Sequence, residues 1–173
     1  MKWSKLKKEI ESRFATSVQG KVHLYSTRYR RLDSTLGRGW ITYQKEQIVN
    51  FESFLSWANF GAYYHEATNT ECLRHTAVAE EERTPSFVIE RGEFSRFDLH
   101  EACWEMLNLS IDEALVSKNP LIQGLAFLDR RVGKERIFSF QVEGLHPLAK
   151  KMLEIRRHEE AAQHNNSFNR SAR

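Results

Sequence analysis

A chain of 173 residues, 40% apolar and 12% aromatic, is long enough to bury one substantial core and short for two. No stretch approaches the roughly 18 uninterrupted apolar residues of a membrane helix, and the opening "MKWSKLKKEI" lacks the apolar run of a secretory signal, so a cytoplasmic protein with no membrane partner is expected. The net charge of +3 is unevenly spread: residues 1–50 hold eleven Lys and Arg against four Asp and Glu, residues 51–100 four against nine, and the rest eleven against ten. A basic N-terminal third suits nucleic acid or an acidic protein, and equally a solvated helix face and strand edge.

In "KWSKLKKEIESRFA", Trp3, Leu6, Ile10 and Phe14 recur at helical spacing with the lysines opposite, which predicts an amphipathic first helix. After Gly20, "KVHLYSTRYRR" alternates as a strand, with Val22 and Leu24 on one face and His23, Tyr25, Thr27 and Tyr29 on the other. "RGWITYQKEQIVNF" reads as two further strands around a polar turn at Gln44 to Glu46, so three antiparallel strands are expected. From Phe51 the spacing of Phe54, Leu55, Ala58 and Ala62 becomes helical, as two pieces or one bent helix, and Pro85 ends that texture.

The C-terminal half is punctuated by helix caps. Ser95 with Asp98 resembles an acidic capping box and opens a helix through "RFDLHEACWEMLN", with Phe97, Ala102, Trp104 and Leu107 as core candidates. Ser110 with Glu113 opens a short second helix, and Asn119 followed by Pro120 opens a third, which Gly133 is placed to end in the left-handed conformation. "RIFSFQV" alternates like a strand, and a last helix is expected from Pro147 to about Arg157. The fold class is therefore α+β, one domain over residues 1–157: a small antiparallel sheet of about three strands, an N-terminal helix and a C-terminal unit of short helices. Residues 158–173 are polar and are expected to be a disordered tail.

Two basic groups are candidate binding residues. Arg28, Arg30, Arg31 and Arg38 fall near Tyr25, Tyr29 and Trp40 on adjacent strands, a mixture suited to neutralising phosphate and stacking bases. Arg28 and Arg30 share a strand face with Val22 and Leu24 while Arg31 points the other way, which splits the charge across the sheet. In "LDRRVGKER", Arg130 and Arg131 are expected in the last turn of a helix, where cations suit the terminal carbonyls, with Asp129 available to an arginine on a neighbouring element and Lys134 and Arg136 following.

Catalytic signals are weak. His65, Glu66, Cys72 and His75 are the right residue types for metal or proton transfer, but the two histidines are ten apart and the second zinc histidine of a helical motif is missing. Cys72 and Cys103 have no close-spaced partner cysteine and are expected to be reduced and buried. No metal site and no cofactor is expected.

The opening "MKWSKLKKEIESRF", the hairpin "GRGWIT" with "VNF", and the run "LNLSIDEAL" through "NPLIQGLAFLDRRVGKER" resemble a family of small uncharacterised bacterial proteins known chiefly by a genome locus label. The similarity spans roughly residues 1–150 and implies a bacterial, cytoplasmic, single-domain protein, with no activity and no catalytic residues to carry over. The expected function is a non-enzymatic macromolecule-binding protein whose partner is another protein, as in antitoxin or immunity-type pairs. The alternatives are nucleic-acid binding through the basic sheet and an enzyme built around Cys72 and His75.

Overall fold

The computed structural model describes residues 1–28, 37–52, 88–89 and 93–171, the side chains of Glu52 and residues 164–171 excepted. The helical segment expected between Phe51 and Pro85 lies outside the described residues beyond Glu52. The fold is α+β. Helix α1 (Trp3–Arg13) precedes the strands β1 (Val22–Arg28), β2 (Gly37–Tyr43) and β3 (Glu46–Glu52). There follow α2 (Arg96–Asn108), α3 (Ile111–Leu115), α4 (Pro120–Leu128), α5 (Lys134–Ser139) and α6 (Pro147–Ser171).

The sheet is antiparallel in the order β1-β2-β3. Tyr43 pairs with Glu46 across a two-residue turn, Gln44 and Lys45, both at positive φ. That mirror-image turn matches the twist of the flanking strands, which makes a tight hairpin possible without glycine. Val22, Leu24, Ile41, Val49 and Phe51 face inward and are buried. Helix α2 packs closely on this face at Gly39, where a Cβ would lie 2.9 Å from Leu99 Cδ2 and the leucine would have to shift to admit it.

Helix α1 runs along the free edge of β1 and buries Leu6 and Ile10. Glu11 accepts a hydrogen bond from the Leu24 backbone N–H at 2.8 Å, which satisfies an edge donor that a foreign strand could otherwise use. The second layer is a helical bundle centred on α4, in which every residue but Gln123 is buried. A helix apolar on all sides must be surrounded, and α2, α3 and α6 do so, with the core continuous from Leu6 to Ile155.

The caps form as the sequence indicates. Ser95 accepts from the Phe97 and Asp98 N–H groups while Asp98 accepts from Ser95 N, and Ser110 and Glu113 repeat the box. Asn119 accepts from Leu121 N at 3.0 Å ahead of Pro120. Asn119→Ala should lower stability by about 0.5–2 kcal/mol, read as a shifted urea midpoint at constant slope. An unchanged midpoint would mean that the cap contributes nothing.

Four local expectations are corrected. Helix α4 ends at Leu128, because Asp129 turns extended and bridges to Phe14 while Arg130 N donates to Arg13 O; Arg130 and Arg131 therefore lie beyond the helix. Gly133 is not left-handed: at φ −65° it is the N-cap of α5, and "RIFSFQV" begins as helix instead of strand. So short an apolar run satisfies both periodicities, and Ile137 alone of α5 is buried. Trp104 is 48% exposed, because α2 centres its buried face on Leu99, Ala102, Cys103 and Met106.

The fourth correction concerns the last helix, where α6 passes the expected end near Arg157 and is helical to Ser171. The physical reason is a set of long-range polar contacts. Arg156, 3% exposed, donates to the carbonyls of Phe127, Asp129 and Val132 at 3.1–3.2 Å and to Glu160 at 2.8 Å. Arg157 donates to the carbonyls of Ile137, Phe138 and Phe140. The two arginines thus satisfy the open C-terminal ends of α4 and α5. One turn on, Glu159 accepts from Lys21, from the Tyr43 hydroxyl at 2.7 Å and from Gln44 at 3.0 Å, tying α6 to the hairpin.

Candidate macromolecule-binding face

The sheet face turned away from α2 brings two of the predicted residues together. Trp40 and Arg38, two apart on β2, project to the same side, with the Arg38 guanidinium 4.4 Å from the Trp40 ring centroid. Tyr25, directly opposite Trp40 in the β1–β2 register, stacks on it at 5.0 Å and 8°. Lys7 of α1 places its ammonium 4.2 Å from the Tyr25 centroid, so each ring of the pair carries a cation. His23, on the same face of β1, meets Tyr25 edge-on at 6.3 Å.

Beside this ladder lies an open groove of about 430 Å³ between α1 and the start of β1, lined by Lys7, Lys8, Glu11, Ser12, Gln19 and His23 among others. Glu11 is engaged inward by Leu24 N, and Lys7 and His23 each lie 3.6 Å from its carboxylate. Lys8 is exposed on the rim. Aromatic edges, two ring-bound cations and further basic groups thus line one continuous surface. Lys7 and Lys8 read in the sequence as the solvated side of a helix, and nothing local indicates that α1 would lie along the β1 edge.

The other predicted residues are placed differently. Arg28 ends β1 exposed and alternates to the α2 side of the sheet, away from Arg38. Arg30 and Arg31 lie outside the described residues. In the second cluster, Arg131 folds back on the buried Asp129, its immediate neighbour but one, with contacts of 2.8–3.2 Å, so that Asp129 is met from within its own segment. Arg136 pairs with Asp112 at 2.5 Å, and Lys134 stands 6.0 Å from the Phe138 ring. Arg131 and Arg13 also approach the carbonyls of Leu109 and Leu107 at the end of α2. Arg130 is exposed. The run "LDRRVGKER" is therefore largely spent on local pairing and on a helix end, which leaves the outer sheet face as the better-formed site.

A family model matches residues 2–157, nine-tenths of the chain. The chain belongs to the SF0329 protein family. No curated protein and no solved structure matches it. The matched stretch contains the whole ladder of this SF0329 member, Lys7, Tyr25, Arg38 and Trp40, and ends at Arg157, just short of Glu159.

The chemistry of the remaining groups is limited. Burial pushes the thiol of Cys103 far above its ordinary range, with Glu11 adding to the effect, so this cysteine stays a neutral buried thiol. Cys72, His65, Glu66 and His75 lie outside the described residues. Among the described residues no group of three His, Cys, Asp or Glu side chains is placed to hold a metal ion, and no helix is long and apolar enough to cross a membrane. His100 is held down to about 4, first by burial and then by Arg96 and Arg28. The folded state thus binds fewer protons than the unfolded chain between the ordinary histidine value and about 4. Stability should fall as the pH drops through that window, and His100→Gln should flatten the fall in pH-dependent denaturation.

Proposed function

We propose that this SF0329 member is a non-enzymatic binding protein of the bacterial cytoplasm, docking an acidic surface of another protein on its outer sheet face, as antitoxin or immunity-type proteins do. The observation that carries the reading is the Lys7–Tyr25–Trp40–Arg38 ladder beside a groove rimmed by Lys8 and His23. Tyr, Trp and Arg are the residues that concentrate at protein interfaces, where rigid rings and forked cations give contact at little entropic cost. The free, buried Cys103 suits a reducing compartment.

The same ladder invites the nucleic-acid alternative, and its geometry favours the protein reading. Tyr25 and Trp40 turn ring faces to each other and receive cations over their rings, so the π surfaces that a base would use are already engaged. Arg28 does not share the face, which lowers the phosphate-neutralising charge available along one track. A gel-shift titration with a generic single strand at low salt tests this. Micromolar protein should give no shift. A shift that weakens with salt at a log-log slope of about 0.7 per phosphate contacted would overturn the protein reading in favour of nucleic acid.

A further inference from the structure

The groove between α1 and the start of β1 has charged groups of two kinds, engaged and free. Ser4, Lys8 and Ser12 follow one another at intervals of four, so they share one stripe of α1 along the outer wall. Lys7 and Glu11 form the next stripe inward, and both are engaged. The Lys7 ammonium lies on the Tyr25 ring and 3.6 Å from Glu11, whose carboxylate accepts from Leu24 N at 2.8 Å and stands 3.6 Å from His23. Lys8 is different: it is exposed and forms no ion pair or hydrogen bond among the described residues. The facing wall is low, because Gly20, at φ +75°, puts no side chain there and the space its Cβ would enter is empty. The backbone N–H groups of Gln19, Val22 and Leu24 are already bonded, to the carbonyls of Ala15 and Val18 and to Glu11.

We propose that this groove seats an acidic side chain, glutamate or aspartate, of the partner protein, with Lys8 as the ammonium that receives it. The inference rests on the docking reading above and names the contact that anchors it. A chain-terminal carboxylate is captured by clustered backbone N–H groups, and those of Gln19, Val22 and Leu24 are spent. A side-chain carboxylate needs only a free cation and room, and the groove offers Lys8 and about 430 Å³. Glu11 does not bar entry, because Leu24 N, Lys7 and His23 surround its carboxylate. Lys7 and Lys8 against Glu11 leave one positive charge in excess, and the concave wall focuses its field outward. Lys7 lines the groove and also covers the Tyr25 ring, so an acid seated here lies beside the ladder and the two form one footprint.

The experiment titrates a hexaglutamate peptide, blocked at both ends so that only side-chain carboxylates remain, into the full chain at low salt. The His23 imidazole and Trp40 indole resonances are followed by NMR, with blocked hexaglutamine as control. A saturable shift of His23 by hexaglutamate alone is expected. Lys8→Gln, which keeps helix propensity on an exposed face, should weaken it at least fivefold, whereas Lys150→Gln, an equal loss of charge on α6 away from the groove, should leave it unchanged. A shift at Trp40 with His23 unmoved, or equal affinity in Lys8→Gln, would overturn the groove as anchor and leave the docking face standing. No shift at either residue would overturn both. His23 resonances that move with protein concentration in the absence of peptide would assign the groove to a second copy of the chain and overturn the inference.

Discussion

Replacing Arg156 by methionine should lower stability by about 3–5 kcal/mol, the range for removing one partner of a buried, hydrogen-bonded charge. Methionine keeps most of the aliphatic stem, so the loss reports the guanidinium group. Three carbonyls, those of Phe127, Asp129 and Val132, would lose their donor in a region where water is excluded, and Glu160 would lose its 2.8 Å contact. Since α4 is the central helix of the bundle, an uncapped C-terminus there is felt by every element packed on it. Arg157→Met should cost less, about 1–2 kcal/mol, because that side chain is only half-buried and water can replace part of its bonding. Denaturant midpoints at constant slope measure both. A loss below that of Arg157→Met would show that the α4 carbonyls are satisfied by something other than Arg156.

Replacing Glu159 by alanine should cost about 2–3 kcal/mol, because its carboxylate, 2% exposed, gathers Lys21, Tyr43 and Gln44 at the hairpin turn. Burial pushes the Glu159 carboxyl up, but the hydrogen bonds from Lys21, Tyr43 and Gln44 together outweigh it and hold the group below the usual carboxylate range. A depressed carboxyl contributes stability that is present above its unfolded value and lost as the pH falls through the folded one. The gap between Glu159→Ala and the parent chain should therefore be full above about pH 4.5 and close on further acidification. Tyr43 is the complementary reporter. Burial first, and then the hydrogen bond and charge of Glu159, raise its hydroxyl to about 12, and Glu159→Ala should let it titrate nearer its ordinary value. A Tyr43 titration unmoved by the substitution would sever this link between α6 and the sheet.

These contacts also explain what could be read from the residues alone. Several local signals are legible: the face of α1 from Leu6 to Phe14, the hairpin around Gln44, and the caps at Ser95, Ser110 and Asn119 each depend on neighbours within a few positions, whereas the local reading fails at Gly133 and in the short run after it. Long-range signals were not legible. Helix α6 outruns Arg157 because Glu159 meets groups on β1's approach and the hairpin, and polar composition alone gives no hint of that partner. Helix α5 looks like a strand until Arg157 is seen to bond its last carbonyls. Of the binding residues, Arg38 and Trp40 were readable as neighbours because strand alternation fixes them. Lys7 joins them only because Glu11 seats α1 on the β1 edge. The basic run from Arg130 to Arg136 was conspicuous in sequence, yet Asp129 and Asp112 absorb two of its charges.

The central claim, an acidic protein docked on the outer sheet face, is tested most directly by capture from a nuclease-treated bacterial extract, comparing the parent chain with a Lys7→Glu, Arg38→Glu double variant. Both side chains are partly exposed, Lys7 paired with Glu11 and Arg38 with Gln47, and the denaturation midpoint verifies that the variant is folded before capture is compared. The account predicts a discrete acidic protein retained by the parent chain after nuclease treatment and lost from the double variant. Capture that disappears with nuclease, or a partner held equally by the folded double variant, would contradict it.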